Sequence, residues 1–542
     1  MCLGSVIDAT CGVCLFPYHQ TLNGAVCTTR YLYEVMQSPD IRTFGALKNS
    51  GYQPRSVKEE VRENLIKSIQ EQKQPFSGVI GYEDTVIPDV ERALLSRHNI
   101  LFLGLRGQAK TRMAREMTSL LDEWIPVVEG SDINDSPYAP ISIYSRELIA
   151  EKGDDTPIGW LHRSERYGEK LATPDVSVAD LIGDVDPIKA ANMKLSFADE
   201  RVLHYGIIPR SHRGIFVINE LPDLQARIQV SLFNILQEGD IQIRGFKLRL
   251  PLDILFVFTA NPEDYTNRGS IVTPLKDRIE SQIITHYPKT VEISKAITAQ
   301  EADVLPEQEQ RVDVPDLLKV LVEELAMEAR KSEYVDQKSG VSARLTISAY
   351  ENLVSAAERR ALRSGAKRTM ARIADFIGVV PSLTGKIELV YEGEVEGPAS
   401  VAYRLLGLAI RTVFLQYFPD PATFKTPNAK AARAGAKAKP NPYQPVIDWF
   451  GQGHELTLLA DGDDESYRNR LYSVDGLYAA VKAFYPGIDN TQGALLMEFL
   501  LHGLAEFSLI SKKGVETGGY SFGDILGSMM NLNFGGEEDE ED

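Results

Sequence analysis

Apolar positions along the chain alternate between short runs and helical stripes. From Ser56 the segment SVKEEVRENLIKSIQEQKQ spaces its apolar residues for an amphipathic helix, with Ser56 as N-cap and Glu59 as its reciprocal partner three residues later. The run NILFLG, from Asn99 to Gly104, is short, has no helical spacing and ends in glycine, as a strand buried on both faces does. Beyond it the spacing predicts a helix from Thr111 to Trp124, a strand at GIFVIN from Gly214, a helix from Leu224 to Leu236 and a strand at DILFVFTAN from Asp253. Strands alternating with helices predict an α/β unit with a doubly wound parallel sheet. A long stretch rich in Gly, Pro and Asp, between Asp155 and His212, reads as an insertion into that unit. GDIQIRGFKLRLPLD, from Gly239, alternates as a hairpin with its turn at Arg244 to Phe246.

From Pro315 to about Phe418 the stripes are helical, clearest in VPDLLKVLVEELAMEARKS and LTISAYENLVSAAERRALRSG. The segment from Phe424 to Pro445 has five basic residues, no acids and much Ala and Pro, the composition of a linker. The boundaries expected are an N-terminal extension over 1–75 with its amphipathic helix, an α/β core over 76–300 and an α-helical subdomain over 301–420. A basic linker over 421–445, a helical C-terminal domain over 446–515 and an acidic tail over 516–542 follow.

Composition narrows the partners rather than the fold. The 542 residues carry a formal net charge of -18, a field that repels nucleic acid and anionic membrane. The last eight residues, GGEEDEED, contribute six acids and read as a solvated tail. No apolar run suggests a membrane span and no secretory leader pattern opens the chain, so a cytoplasmic protein is expected. All four cysteines, Cys2, Cys11, Cys14 and Cys27, sit at the N-terminus, so disulfides cannot staple the main fold; the lone CxxC has no second pair at zinc spacing. The histidines form no HExxH, and His204 and His212 read as structural or solvated.

The chemistry begins where NILFLG runs into GLRGQAKTRMAREM. A loop of backbone N–H groups followed by a Lys-Thr pair at a helix N-terminus binds phosphate. In GLRGQAKT, Gly104 and Gly107 permit the close turn, Leu105, Arg106 and Gln108 complete the loop, Lys110 is a point charge for the β and γ phosphates, and Thr111 offers its hydroxyl to Mg²⁺. Ala109 replaces the glycine of the strict GxxxxGK[ST] pattern, which a negative φ would tolerate. Downstream, RGIFVINELPDL delivers Asn219 and Glu220 to a strand C-terminus, where parallel sheets bind ligands, and TAN places Asn261 at the same edge. Arg278 follows in TPLKDRIE.

Taken in order, these segments from about Gly81 to Gly385 resemble the AAA+ ATPases of the MoxR and magnesium-chelatase group (ChlI/BchI-like). The resemblance implies an AAA+ core with an insertion in its second helix, a hairpin before the first sensor, and a helical lid. It implies ATP and Mg²⁺ as ligands, with Ile80 and Gly81 near the adenine, Gly104 to Arg112 around the phosphates, Lys110 and Thr111 as the Walker A pair, and Asn219 and Glu220 on the Walker B acids. Asn261 falls on the first sensor, Arg278 on the arginine finger given to a neighbouring subunit, and Arg344 on the second sensor. Aspartate is usual where Asn219 stands, so Mg²⁺ affinity and turnover are expected to suffer, with Glu220 kept as the water-polarising base. A hexameric ring is implied, together with a separate protein partner bearing a von Willebrand factor A domain. Such a motor remodels a protein or assists metal insertion. The alternatives are a magnesium-chelatase motor in tetrapyrrole synthesis and a DNA-associated ring touching DNA through Arg244, Lys247 and Arg249, which the net charge disfavours.

Overall fold

The computed structural model describes residues 38–196, 199–242, 249–261, 270–424, 441–515 and 518–525, and structural statements below concern these. Five short strands, β1 (Ile100–Leu103), β2 (Tyr167–Leu171), β3 (Gly214–Asn219), β4 (Ile254–Ala260) and β5 (Ser281–Ile284), make one parallel sheet in the order β5-β1-β4-β3-β2. Every residue of β3 and β4 is buried, because helices cover both faces. Ile100, Phe102, Ile215, Val217, Leu255 and Val257 point to one side, into a core with Val61, Leu65 and Met113. Leu101, Phe216, Ile218, Phe256 and Phe258 point to the other, against Leu203, Ile228 and Ile235. The doubly wound sheet read from the apolar runs is therefore the fold's centre.

Helix α1 (Val57–Gln70) carries the capping box between Ser56 and Glu59 that its sequence predicts. Although its place in the chain suggests an appendage, α1 is tied into the core. The buried Glu60 carboxylate accepts two hydrogen bonds from the equally buried Arg166 guanidinium, at 2.7 and 2.6 Å. The Asp253 carboxylate accepts from the Val57 N–H at 2.8 Å.

Within the α/β core three expected elements differ. The helix expected to run from Thr111 to Trp124 is only α2 (Lys110–Glu116), followed by a 3-10 turn at Met117–Leu120 and an extended strand from Trp124 to Val128. The Thr118 and Ser119 hydroxyls donate to the Arg115 and Glu116 carbonyls, local bonds that compete with continued α-helix. Leu224 to Leu236 forms two pieces, Ala226–Ser231 and α3 (Phe233–Glu238), with Ser231 making the same kind of bond back to Ile228. The stretch from Asp155 to His212 is more than an insertion, for it supplies β2, the edge of the main sheet. After β2 it forms a hairpin, Gly183–Val185 against Leu203–Tyr205, on which His204 is exposed. Asp240–Gln242 pairs antiparallel with Arg249–Pro251 as the alternation predicts. Arg249 faces Asp240 of its own hairpin at 3.5 Å, and the turn with Arg244 and Lys247 lies outside the described residues.

Helices α4 (Asp316–Lys331), α5 (Arg344–Ser364) and α6 (Pro398–Tyr417) form the lid. The C-terminal segment expected to be helical contains α7 (Asn490–Glu506) and also a three-stranded antiparallel sheet, in which β6 (Leu456–Leu459) and β7 (Ser511–Gly514) flank β8 (Gly519–Gly523). Glycine at both ends of β8 and lysines in β7 hide these strands from a pattern search. Lid and C-terminal segment share one continuous apolar core from Val312 to Phe522. Arg360 joins them with bonds to Asp375 at 3.0 Å and to Asp464 at 2.7 Å, and Arg372 also pairs with Asp464. Helix α6 is, among the described residues, long and apolar enough to cross a membrane, which the sequence reading did not expect; its residues Val401, Leu405, Ile410 and Phe414 are buried in this shared core. The cysteines and most of the basic linker fall outside the described residues; the span expected as an acidic tail instead carries the paired strand β8, and its part beyond 525, with the acidic end, lies outside them.

His212 is structural, since its Nδ1 accepts from the Asp253 backbone N–H at 2.9 Å. Burial, helped by the Arg213 charge, holds its pKa down to about 4, whereas burial pushes the Asp253 carboxyl up to about 6. A base with a depressed pKa costs stability as pH falls from 6.5 towards 4, and an acid with a raised pKa gains it over nearly the same range. The two offset each other. Asp253→Asn removes one, and is expected to lose up to about 3 kcal/mol more than the parent on acidification from pH 6.5 to 4 in urea titrations. Glu60→Ala, which strands Arg166 in the core, is expected to lower stability by about 3–5 kcal/mol at neutral pH by the same method.

Candidate nucleotide-binding site

Strand β1 ends in the loop that enters α2, and the loop is shaped for a small anionic group. Gly107 has φ 71, and a Cβ there would lie 2.0 Å from Ser342 Oγ of the lid, so the position excludes a side chain twice over. Ala109 is left-handed, at φ 53 and ψ 18; the alternative in which a negative φ tolerates alanine does not hold, and the residue sits in the strained conformation that glycine would relieve. Lys110 is buried at the loop's centre, its Nζ donating to the Leu105 carbonyl at 2.9 Å and to the Gly104 carbonyl.

The ends of β3 and β4 arrive alongside. The Gly104 N–H donates to the Ala260 carbonyl at 3.1 Å, which sets the buried Asn261 next to the loop. Thr111 Oγ1 and Thr259 Oγ1 both donate to Asn219 Oδ1, each at 3.1 Å, and the Glu220 N–H donates to Thr259 Oγ1 at 3.1 Å. Glu220 is itself left-handed, at φ 55 and ψ 49, turning the chain sharply as it leaves β3. Asn219 Nδ2 donates to Glu169 Oε1, on β2, at 2.7 Å. The other Glu169 oxygen accepts from Arg115 Nη2 at 2.9 Å and from the Tyr167 hydroxyl at 3.0 Å. Hydrogen bonding to Glu169 raises the Arg115 pKa, and burial beside that carboxylate raises the Tyr167 phenol well above its ordinary value.

The structure thus brings together Lys110, Thr111, Asn219, Glu220 and Asn261. The remaining predicted residues stand around them. Ile80 and Gly81 precede Tyr82, whose hydroxyl lies 2.9 Å from the Gln108 carbonyl and 2.8 Å from that of His286, so this strap is pinned behind the loop. Gln108 Oε1 accepts from Thr285 Oγ1 at 2.8 Å. Arg106 pairs with Glu388 of the lid and Arg112 with Glu301. Arg344 is exposed at the first turn of α5, two residues from the Ser342 that abuts Gly107. Arg278 is held on the core's flank, donating to Gln237 Oε1 at 3.0 and 2.8 Å and to the Pro274 carbonyl, with its guanidinium 5.0 Å from the Phe233 ring centre. Sequence reasoning missed Glu169, Thr259 and Tyr82. Thr259 was within reach, as the polar residue in the strand that ends TAN, but Glu169 lay inside the supposed insertion.

The Thr111 hydroxyl and the Asn219 amide oxygen are hard oxygen donors facing one another beside a carboxylate, a set suited to Mg²⁺ and its water shell. Among the described residues no group of three or more His, Cys, Asp or Glu gathers as a cluster able to hold a metal ion by itself.

No family model matches the chain. It is 24% identical over 225 residues to the magnesium-chelatase 38 kDa subunit of Cereibacter sphaeroides, covering 40% of this chain and 60% of that one. It is 25% identical over 227 residues to a magnesium-chelatase subunit ChlI homolog of Methanocaldococcus jannaschii, covering 41% and 59%. The alignments thus span about three fifths of these relatives. Among solved structures, a model of the complex between subunits BchI and BchD of magnesium chelatase aligns with TM-score 0.30 and 20% identity, covering 59% of this chain and 98% of that one. A putative ATPase from Cytophaga hutchinsonii gives 0.27 and 17%, with 66% and 97% covered. At such TM-scores the superpositions add nothing to the strand order described above.

Replacing the left-handed alanine tests the loop's strain. Ala109→Gly is expected to raise unfolding stability by about 1 kcal/mol in urea titrations, where an unstrained site would lose stability on the same change.

Proposed function

We propose that the chain is an AAA+ P-loop ATPase related to the magnesium-chelatase subunits it resembles, and that it binds ATP with Mg²⁺ and hydrolyses it between the subunits of a ring. The observation that carries this reading is the hydrogen-bond chain from Thr111 through Asn219 and Thr259 to Glu220, laid across the strand ends beside the buried Lys110. Lys110 has loop carbonyls as partners, which phosphate oxygens replace with a stronger, charge-assisted bond. Thr111 and Asn219 hold the Mg²⁺ water shell; the ion, when bound, neutralises charge on the transferring phosphate. Glu220 polarises the attacking water and Asn261 orients it. Arg344 closes from the lid, and Arg278, released from Gln237, reaches the site of the neighbouring copy.

A hexamer with a separate protein partner, bearing a von Willebrand factor A domain, is the assembly this reading favours, and remodelling of that partner or assistance to metal insertion is the work done. Kinship with the 38 kDa chelatase subunits favours a second reading, a motor for Mg²⁺ insertion into a porphyrin. The alignment leaves well over half of this chain unmatched.

Phosphate release by purified protein with Mg²⁺ tests the site. Wild type is expected to turn over, with Lys110→Ala, Glu220→Gln and Arg278→Ala each slower by about a hundredfold or more. Equal rates for all four proteins would sink the assignment.

A further inference from the structure

The departure at Asn219 leaves the site without the carboxylate that usually stands on that strand. The structure supplies one from the next strand. In the register of β2 and β3, Glu169 lies opposite Val217 and Leu171 opposite Asn219, so Glu169 and Asn219 share the sheet face on which α2 packs. Their side chains meet at 2.7 Å.

This contact decides which way the amide points. A carboxylate accepts and cannot donate, so the Asn219 NH₂ must face Glu169 and the carbonyl oxygen must face away. There it receives the hydroxyls of Thr111 and Thr259. The reverse orientation would set the amide oxygen against a carboxylate oxygen. The Glu169 side chain is three-quarters buried, so its charge is only partly screened at the Thr111 hydroxyl. Its second oxygen is engaged by Arg115 and Tyr167, which fixes the carboxylate and leaves Oε1 aimed at Asn219.

We propose that Glu169 is a positioning residue for the metal, an acid on the neighbouring strand that orients the Asn219 amide oxygen toward Thr111 and supplies through it the negative charge Asn219 lacks. The proposal rests on the Mg²⁺-nucleotide reading of the site and adds to it a partner for the metal's outer shell. It also removes the reason to expect weak metal binding, since an amide polarised by a carboxylate is a better acceptor than an amide alone.

Binding of a fluorescent ATP analogue, titrated in EDTA and then against Mg²⁺, separates the alternatives without reference to turnover. Wild type is expected to bind more tightly with Mg²⁺. Glu169→Gln keeps the size and an acceptor for Asn219 but removes the charge; it is expected to bind the analogue as wild type does in EDTA while needing about tenfold more Mg²⁺ for half-saturation. Restoring the acid on the home strand, in the double variant Asn219→Asp with Glu169→Gln, is expected to return the Mg²⁺ requirement to the wild-type value. Arg115→Ala is expected to leave it within about twofold, because the exposed ion pair contributes little and the Tyr167 hydroxyl still holds the second carboxylate oxygen. A Glu169→Gln protein with unchanged Mg²⁺ dependence overturns the proposal, as does a defect that the double variant fails to repair. A wild-type protein that binds the analogue indifferently to Mg²⁺ overturns it while leaving the nucleotide site standing, and one that binds no analogue at all overturns the underlying reading with it.

Discussion

A parallel sheet covered on both faces forces its polar side chains to the strand ends, because a polar group in mid-strand would be buried without partners. β3 and β4 obey this along their whole length, and so Asn219, Glu220 and Asn261 gather at one edge. The same constraint places the P-loop there, since β1 lies between β4 and β5 and discharges its chain at that edge. The apolar residues of three strands thus determine where the chemistry can be, although none of them touches it. What they cannot determine is the exact complement of polar groups, and here the edge strand β2 contributes Glu169 from outside the fully buried centre.

That division explains what the sequence disclosed. NILFLG, GIFVIN and DILFVFTAN are continuous apolar runs, and a central strand has no other way to be written; their order and their polar ends were legible. YGEKL is an edge strand with one face on α2 and one strand neighbour, so it needs no such run, and it passed as part of an insertion. Glu169 was lost with it. The short antiparallel strands after Leu456 were invisible for a related reason, as their burial depends on α7 and the lid rather than on any pattern of their own. Helix α2 was read too long because propensity does not count the hydroxyls of Thr118 and Ser119, which end it.

Strain at the site follows the same geography. Ala109 and Glu220 are both left-handed, one where the loop enters α2 and one where the chain leaves β3. Each is held there by neighbours rather than by its own preference: Ala109 by the loop and the Tyr82 strap behind it, Glu220 by the bond from its N–H to Thr259. Sequence suggests the first of these by the absence of a glycine and gives no sign of the second.

The shared core of lid and C-terminal segment bears on how force could leave this molecule. Parting the two would bare a continuous apolar surface and strand Arg360 and Arg372 without their Asp464 partner, so the seam between them is no hinge. Arg106 and Glu388, by contrast, join the phosphate loop to the lid across an exposed ion pair that is cheap to break. Give therefore lies on the nucleotide side of the lid and stiffness beyond it. Breaking the loop-to-lid ion pair leaves the lid and the C-terminal sheet joined through their common core, so the two answer the loop as one body.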